Sequence, residues 1–216
     1  MKKLVFLLLA TFSISMVAQE KLTEGVMASK MTMSSPNEEV NAQLSMVGDI
    51  NIITYFKEDK TRSETNNPMS GESVTIIDAK AKKMLTLMNN PMLGKKYMAT
   101  EIEDDADTSG IEVSKGDETK TILGYECQEY NVTMNAEGTT VTMDLFTTEQ
   151  IVASSEQTAK FGDDFKGFPL LMTMKMSQQG MDLTMTYEIT DIKKEAVSDD
   201  KFDMTPPEGY EKMEGM

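Results

Sequence analysis

The sequence contains no histidine and no tryptophan, and its 216 residues include one cysteine, Cys127. Histidine is the commonest general base and the usual zinc ligand, so its absence argues against most acid–base enzymes and zinc proteins. A single cysteine cannot form a disulfide within the chain, and packing must therefore hold the fold together. We interpret Cys127 as a small buried apolar residue and not as a reactive thiol.

Basic residues are also scarce. The chain has 21 lysines and arginines against 36 aspartates and glutamates, which gives a formal net charge of −15 at pH 7. Such a charge repels both the phosphate backbone of nucleic acids and anionic lipid surfaces. We therefore expect neither nucleic-acid binding nor electrostatic docking to anionic membranes.

The motifs of common catalytic sites are missing as well. The chain has no G-x-S-x-G nucleophile elbow, no P-loop and no dinucleotide-binding fingerprint. Its many acidic residues give no reason to single out one catalytic pair of carboxylates. We predict that the protein is not an enzyme and that it has no catalytic residue, no metal ligand and no cofactor.

The N-terminus has the pattern of a secretory signal peptide. Lys2 and Lys3 precede an apolar run from Leu4 to Ala10, and small and polar residues follow it. This run is too short to span a membrane. We predict that the first nineteen residues are a signal peptide, cleaved near Ala18 or Gln19. The mature protein would then be periplasmic or secreted, and not an integral membrane protein.

Alternating apolar and polar residues predict a β protein. The period-two pattern is clearest from Leu170 to Thr190, where two alternating arms flank a Gln-Gln-Gly break and predict an antiparallel hairpin. About ten short segments of this kind occur along the chain, including weaker ones at Gln150 to Glu156 and Phe202 to Met204. The acidic stretch Glu103 to Gly116 is predicted to be a mobile surface loop.

One helix is predicted between the first two strands. Asn37 suits the N-cap position, and acidic residues follow it in the first turn. Val40, Leu44 and Val47 recur at helical spacing, and Gly48 provides a stop. Because the apolar stripe is narrow, this helix can lie across a sheet but cannot be buried inside one. The strand pattern suits a β-sandwich or an open, strongly curved barrel.

Methionine is unusually frequent, with 21 copies. Thioether side chains are unbranched, polarizable and able to repack, which suits the binding of variable apolar chains. We predict that a hydrophobic ligand binds to one face of the sheet through Met27, Met31, Met33, Met172, Met174, Met176, Leu183, Met185 and Tyr187. Two other interpretations stay open: an ordinary core that uses methionine in place of leucine or valine, and a Cu(I) site of soft thioether sulfurs.

Four segments carry a family resemblance: Tyr55 to Glu64, Met92 to Tyr97, Thr121 to Cys127 and Phe202 to Tyr210. They resemble a family of secreted Bacteroidetes proteins classed as a domain of unknown function, number 4412. Such proteins are similar in architecture to the lipoprotein-localisation carriers LolA and LolB. The resemblance implies an open, curved antiparallel half-barrel with a helical cover above an apolar cavity that accepts acyl chains.

Together these observations predict one LolA/LolB-like domain over residues 20–216, with a loose C-terminal tail from Glu208 to Met216. Its fold is expected to be mainly β, an open half-barrel of about ten strands with one or two covering helices, or alternatively a β-sandwich. We expect a carrier or chaperone that binds a lipid or a lipoprotein acyl chain. The alternative is an envelope module that binds another protein and no small ligand, and Cu(I) binding ranks third.

The signal peptide gives a direct test. After expression in an export-competent bacterium, the periplasmic protein should begin at Gln19 or Glu20, because signal peptidase removes the segment that precedes its cleavage site. Intact-mass spectrometry measures this. A control variant, Leu8→Arg, breaks the apolar run and should leave an uncleaved protein inside the cell. An exported protein that retains its first eighteen residues would contradict the prediction.

Overall fold

The computed structural model describes residues 21–67, 70–102, 110–136, 139–155, 158, 161–162, 164–178 and 181–213. The predicted signal peptide and residues 103–109 of the predicted acidic loop lie outside them. The helices are α1 (Glu38–Val47) and a 3-10 helix (Asp199–Phe202). The strands are β1 (Glu24–Ser34), β2 (Ile50–Lys57), β3 (Lys60–Asn67), β4 (Gly71–Asp78), β5 (Lys83–Asn90), β6 (Gly94–Glu101), β7 (Ile111–Ile122), β8 (Tyr125–Ala136), β9 (Thr139–Thr148), β10 (Phe168–Gln178), β11 (Met181–Lys193) and β12 (Glu211–Lys212).

All twelve of these strands belong to one open sheet, in the order β12-β6-β5-β4-β3-β2-β1-β11-β10-β9-β8-β7. Strands β2 to β6 form one meander and β7 to β11 form another. Strand β1 joins them by pairing with β2 on one side and β11 on the other, both antiparallel. The predicted mainly β class is confirmed, with twelve strands where the sequence predicted about ten.

Part of the predicted acidic loop is a strand. Residues from Ile111 to Gly116 belong to β7, which is an edge of the sheet. An edge strand has one neighbour and large exposed surfaces, so it needs few apolar residues. In β7 only Ile111, Val113 and Ile122 are apolar. The sequence pattern was for this reason too polar to be recognised as a strand.

The C-terminal residues dock onto the sheet. Strand β12 pairs in parallel with β6, and the Lys96 ammonium lies 2.6 Å from the Glu211 carboxylate. The Met213 amide also donates to the Tyr97 carbonyl at 2.8 Å. The segment expected to be a loose tail is therefore fixed as far as Met213, and residues 214–216 lie outside the described part of the chain.

Two hydrophobic clusters form the core. The larger one is formed mostly by residues of β8 to β11, together with Met27 of β1 and Phe56 of β2, which have no exposed surface. The smaller one contains Ile76, Leu85 and Leu87, with Met204 and Tyr210 packed against it. The C-terminal segment thus covers the β4–β6 half of the sheet. A strand was predicted at Phe202 to Met204, but Phe202 instead closes the 3-10 helix and is buried.

Helix α1 forms as the sequence predicts but does not cover the core. The Asn37 side chain accepts hydrogen bonds from the amides of Glu39 and Val40 at 3.0 and 3.2 Å, and Gly48 ends the helix with φ of 69°. The helix lies next to β1 and buries none of its residues. Helix α1 therefore does not supply the expected helical cover, since none of its side chains is buried against the sheet. No helix in the described ranges is both long and apolar enough to cross a membrane.

The described residues of the connection between β9 and β10 pack over the larger cluster instead. Its Ile151 and Phe161 are buried in the larger cluster. Phe165 lies between Phe161 and Tyr130, with ring centroids 5.2 and 5.1 Å apart. A strand was predicted at Gln150 to Glu156, but the described residues 150–155 make only an isolated bridge between Ile151 and Leu22.

Candidate functional site

The strand register places four methionines in one row across four neighbouring strands. Met33 of β1 lies opposite Met185 of β11, Met185 lies opposite Met174 of β10, and Met174 lies opposite Met143 of β9. Directly opposite residues have Cβ atoms about 4.5–5.5 Å apart. The row is therefore about 15 Å long, given a strand spacing of roughly 4.8 Å. We call these four residues the thioether ladder.

Apolar rows flank the thioether ladder on both sides. On one side Tyr187 lies opposite Met31 and Met172. On the other side Met176 lies opposite Leu183 and Val141. Because residues two apart on a strand share a face, the three rows form one continuous apolar surface. We call it the methionine face.

All nine residues predicted to bind a hydrophobic ligand lie on this face of the sheet, but they differ in exposure. Met27, Met172 and Tyr187 are buried in the larger core cluster. The other six, Met31, Met33, Met174, Met176, Leu183 and Met185, are half-buried. The interpretation of the methionines as an ordinary core therefore fits the first three, whereas the half-buried six remain reachable by a ligand.

Sequence reasoning missed Met143, which completes the thioether ladder and is only 4% exposed. Its strand alternates clearly, but nothing in the sequence shows that β9 lies beside β10, or that β11 lies beside β1. Cross-strand neighbours depend on register and strand order, and alternation within one strand gives neither. Residues two apart on one strand are about 6–7 Å from each other, and the register adds shorter separations between methionines on neighbouring strands.

The same face changes character on the other side of β1. Thr54 of β2 lies opposite Ser63 of β3, Ser63 lies opposite Thr75 of β4, and Thr75 lies opposite Thr86 of β5. These four hydroxyl side chains form a row across neighbouring strands. The thioether ladder is a similar row of methionines. Sequence analysis did not predict this row either, because serine and threonine at alternate positions are typical of a strand face that is exposed to solvent.

A cavity of about 130 Å³ lies over these hydroxyl side chains. Six of the residues around it are serine or threonine from β2, β3 and β4, namely Thr54, Thr61, Ser63, Thr65, Ser73 and Thr75. Ser154 and Ser155 of the β9–β10 connection also line it, together with Ile52, Ile77, Phe168 and Tyr187. We call this cavity the hydroxyl pocket.

Tyr187 belongs to both regions. It lines the hydroxyl pocket, and it lies opposite Met31 and Met172 in the row next to the thioether ladder. Burial raises the pKa of its phenol, and the hydroxyl of Ser29 offsets part of the rise. A neutral phenol at this position can donate a hydrogen bond while its ring contacts apolar groups.

Acidic and thiol groups do not form a metal centre in the described part of the chain, where no three His, Cys, Asp or Glu side chains are grouped so that they could hold an ion. The only cysteine is fully buried in β8 and is a free thiol. Burial raises the pKa of Cys127 to about 11. The interpretation of Cys127 as a small buried residue is therefore confirmed.

These features define a mainly β protein with one open sheet that is apolar on one half of a face and hydroxyl-lined on the other. The chain belongs to the family described as Domain of unknown function (DUF4412), whose model matches residues 23–210. This confirms the family indicated by the four sequence segments.

Comparison with individual proteins adds little. No curated protein matches the chain. The solved structure of PNGF-II in the C2 space group has 17% sequence identity and a TM-score of 0.43, and the match covers 88% of this chain and 31% of that chain. A likeness this low carries no argument about fold or function.

The burial of Cys127 predicts an unreactive thiol. Because the thiolate is the nucleophile, a pKa of about 11 leaves little reactive form at pH 8. We expect the native protein to react with dithionitrobenzoate at least about a hundredfold more slowly than the same protein in guanidinium chloride. Absorbance at the thionitrobenzoate band measures both rates, and Cys127→Ser gives the background. Fast stoichiometric reaction of the native protein would contradict the assignment.

Proposed function

We propose that the protein is an exported carrier or chaperone that holds a lipid or lipoprotein acyl chain against the methionine face. The observation that carries this proposal is the thioether ladder. Its Met33, Met174 and Met185 are half-buried and lie side by side on adjacent strands. A run of contiguous, partly open apolar side chains is the surface that an alkyl chain requires.

The chemistry of the side chains suits a variable ligand. Methionine has three rotatable bonds and a polarizable sulfur, so several methionines together can adjust to chains of different length or branching. The three half-buried residues of the row span about 10 Å, given a strand spacing of roughly 4.8 Å, which is long enough for contact with a segment of a fatty-acyl chain. The net charge of −15 argues that attraction to anionic membranes does not drive binding.

We infer that the open sheet curves into a half-barrel with the methionine face inside it, as the resemblance to LolA and LolB implies. We also propose that the protein is secreted, which the predicted signal peptide supports, and that it comes from a member of the Bacteroidetes, which only the resemblance supports. A difference from those carriers is that the β9–β10 connection, and not a set of helices, provides the cover.

Binding of an uncharged fluorescent probe tests the proposal. N-phenyl-1-naphthylamine carries no charge, so the acidic protein should not repel it. The double variant Met174→Gln, Met185→Gln keeps the side-chain length but places two amides where the probe would need apolar contact. We expect a dissociation constant at least about tenfold higher, since burying an unpaired amide costs about 1–3 kcal/mol.

The matched control uses methionines away from the face. Met46 is 80% exposed on α1 and Met92 is 92% exposed before β6. The double variant Met46→Gln, Met92→Gln should bind the probe as the unmodified protein does. Circular dichroism and the thermal midpoint verify that both variants fold. The proposal would be refuted if the unmodified protein does not bind the probe. It would also be refuted if the two double variants bind the probe with equal affinity.

Cu(I) binding is a second candidate, because the ladder brings thioethers from different strands within reach of one another. Met174 has methionines directly opposite on both sides, Met143 and Met185, and thioethers are soft ligands that suit Cu(I). The variant Met174→Leu, Met185→Leu separates the two candidates, since leucine stays apolar but cannot ligate.

If copper is the ligand, the unmodified protein should withdraw one equivalent of Cu(I) from bathocuproine disulfonate, and the leucine variant should not. If acyl chains are the ligand, the leucine variant should still bind N-phenyl-1-naphthylamine within about threefold of the unmodified affinity. Absorbance of the chelator complex and probe fluorescence give the two readings. Failure of the unmodified protein to compete with the chelator would eliminate the copper candidate.

A further inference from the structure

We propose that the hydroxyl pocket binds the uncharged, hydroxyl-bearing head group of an acylglycerol whose chain lies on the thioether ladder. This inference rests on the proposed function and names the ligand class for it. The observation behind it is that the hydroxyl pocket and the methionine face are neighbours on the same face of the sheet. Tyr187 belongs to both.

The size of the hydroxyl pocket limits what enters it. Its volume is about 130 Å³, whereas sites that enclose a whole drug-sized molecule are about 300–1,000 Å³. The pocket therefore accepts a small group and not an entire lipid. A glycerol moiety with two free hydroxyls is of suitable size, and the remaining chain has to lie outside the pocket.

The lining determines the chemistry of that group. None of the described residues that line the pocket is charged. A phosphate or carboxylate would enter without a countercharge, and burying an unpaired ion is costly. A hydroxyl-bearing group faces no such cost, because each serine or threonine hydroxyl offers one donor and two acceptor lone pairs.

Hydrogen bonds within the lining leave room for a ligand. The Thr54 and Ser63 hydroxyls are 3.0 Å apart and share one hydrogen bond, and the Thr65 hydroxyl donates to the Ser73 carbonyl at 3.5 Å. One hydrogen bond uses only part of the capacity of each hydroxyl. The lining can thus hold its own structure and still bind a polyol.

Tyr187 separates the pocket from the ladder. It lines the hydroxyl pocket, and Met185, two residues earlier on β11, is the ladder residue next to it on the same face. Residues two apart on a strand are about 6–7 Å from each other. A chain attached to a head group in the pocket therefore reaches the ladder within a few carbon atoms.

The test compares two lauroyl esters that share the same acyl chain. Monolaurin has a glycerol head group and methyl laurate has none. Each displaces N-phenyl-1-naphthylamine from the full-length mature protein in a competition titration. In the variant Ser73→Ala, Thr75→Val we expect the inhibition constant of monolaurin to rise about tenfold or more, since two hydroxyls that would hydrogen-bond the glycerol are lost. The inhibition constant of methyl laurate should change by less than about twofold, since its acyl chain keeps its contacts.

Two variants act as controls. Thr86 lies opposite Thr75 on the same face but does not line the hydroxyl pocket, so Thr86→Val should leave both esters unaffected. The ladder variant Met174→Gln, Met185→Gln should weaken both esters to the same extent. Laurate at pH 8 has the same acyl chain as the two esters but ends in a charged carboxylate. It should therefore bind more weakly than monolaurin.

The outcomes separate the two proposals. If the ladder variant weakens both esters but Ser73→Ala, Thr75→Val affects neither or both equally, the head-group assignment is overturned and the proposed function stands. If the unmodified protein binds neither ester, the proposed function fails and the head-group assignment falls with it. A selective loss of monolaurin in the pocket variant alone supports the assignment.

Discussion

The antiparallel pairing of β1 with both β2 and β11 is the constraint on which the rest of the structure depends. This pairing turns two separate meanders into one sheet and fixes which side chains of one meander face the same way as those of the other. A shift of one residue in either register would turn every side chain of β1 to the opposite face. Met31 and Met33 would then leave the methionine face, and Met27 would leave the core.

Sequence reasoning predicted local structure well and long-range structure only in part. The antiparallel hairpin between Leu170 and Thr190 and the cap residues of α1 were predicted correctly, because alternation and capping are local properties. The edge strand β7 and the docking of β12 could not be foreseen, since both depend on a neighbour that is distant in the chain. All nine predicted ligand residues share a face, yet which of them are buried depends on the β9–β10 connection, whose path no periodicity describes.

The hydroxyl pocket and the thioether ladder are two results of one geometric rule. Alternation selects every second residue for a face, and in β2 to β5 those residues are often threonine or serine, whereas in β9 to β11 they are often methionine. Threonine favours strands through its branched side chain while it also carries a polar group. The sheet can thus stay well ordered across a change from polar to apolar lining, and one face carries two surfaces of different chemistry.

The position of β1 also affects how the chain can reach its native state. The first strand pairs with the last long one, β11, so the central contact of the sheet joins residues that are separated by most of the sequence. Contacts of such high sequence separation form slowly, because closing the intervening loop costs entropy before any pairing rewards it. Within each meander the paired strands are adjacent in the chain, whereas β1 lacks one of its two neighbours until β11 has been synthesised. The centre of the sheet therefore closes only when nearly the whole chain is present.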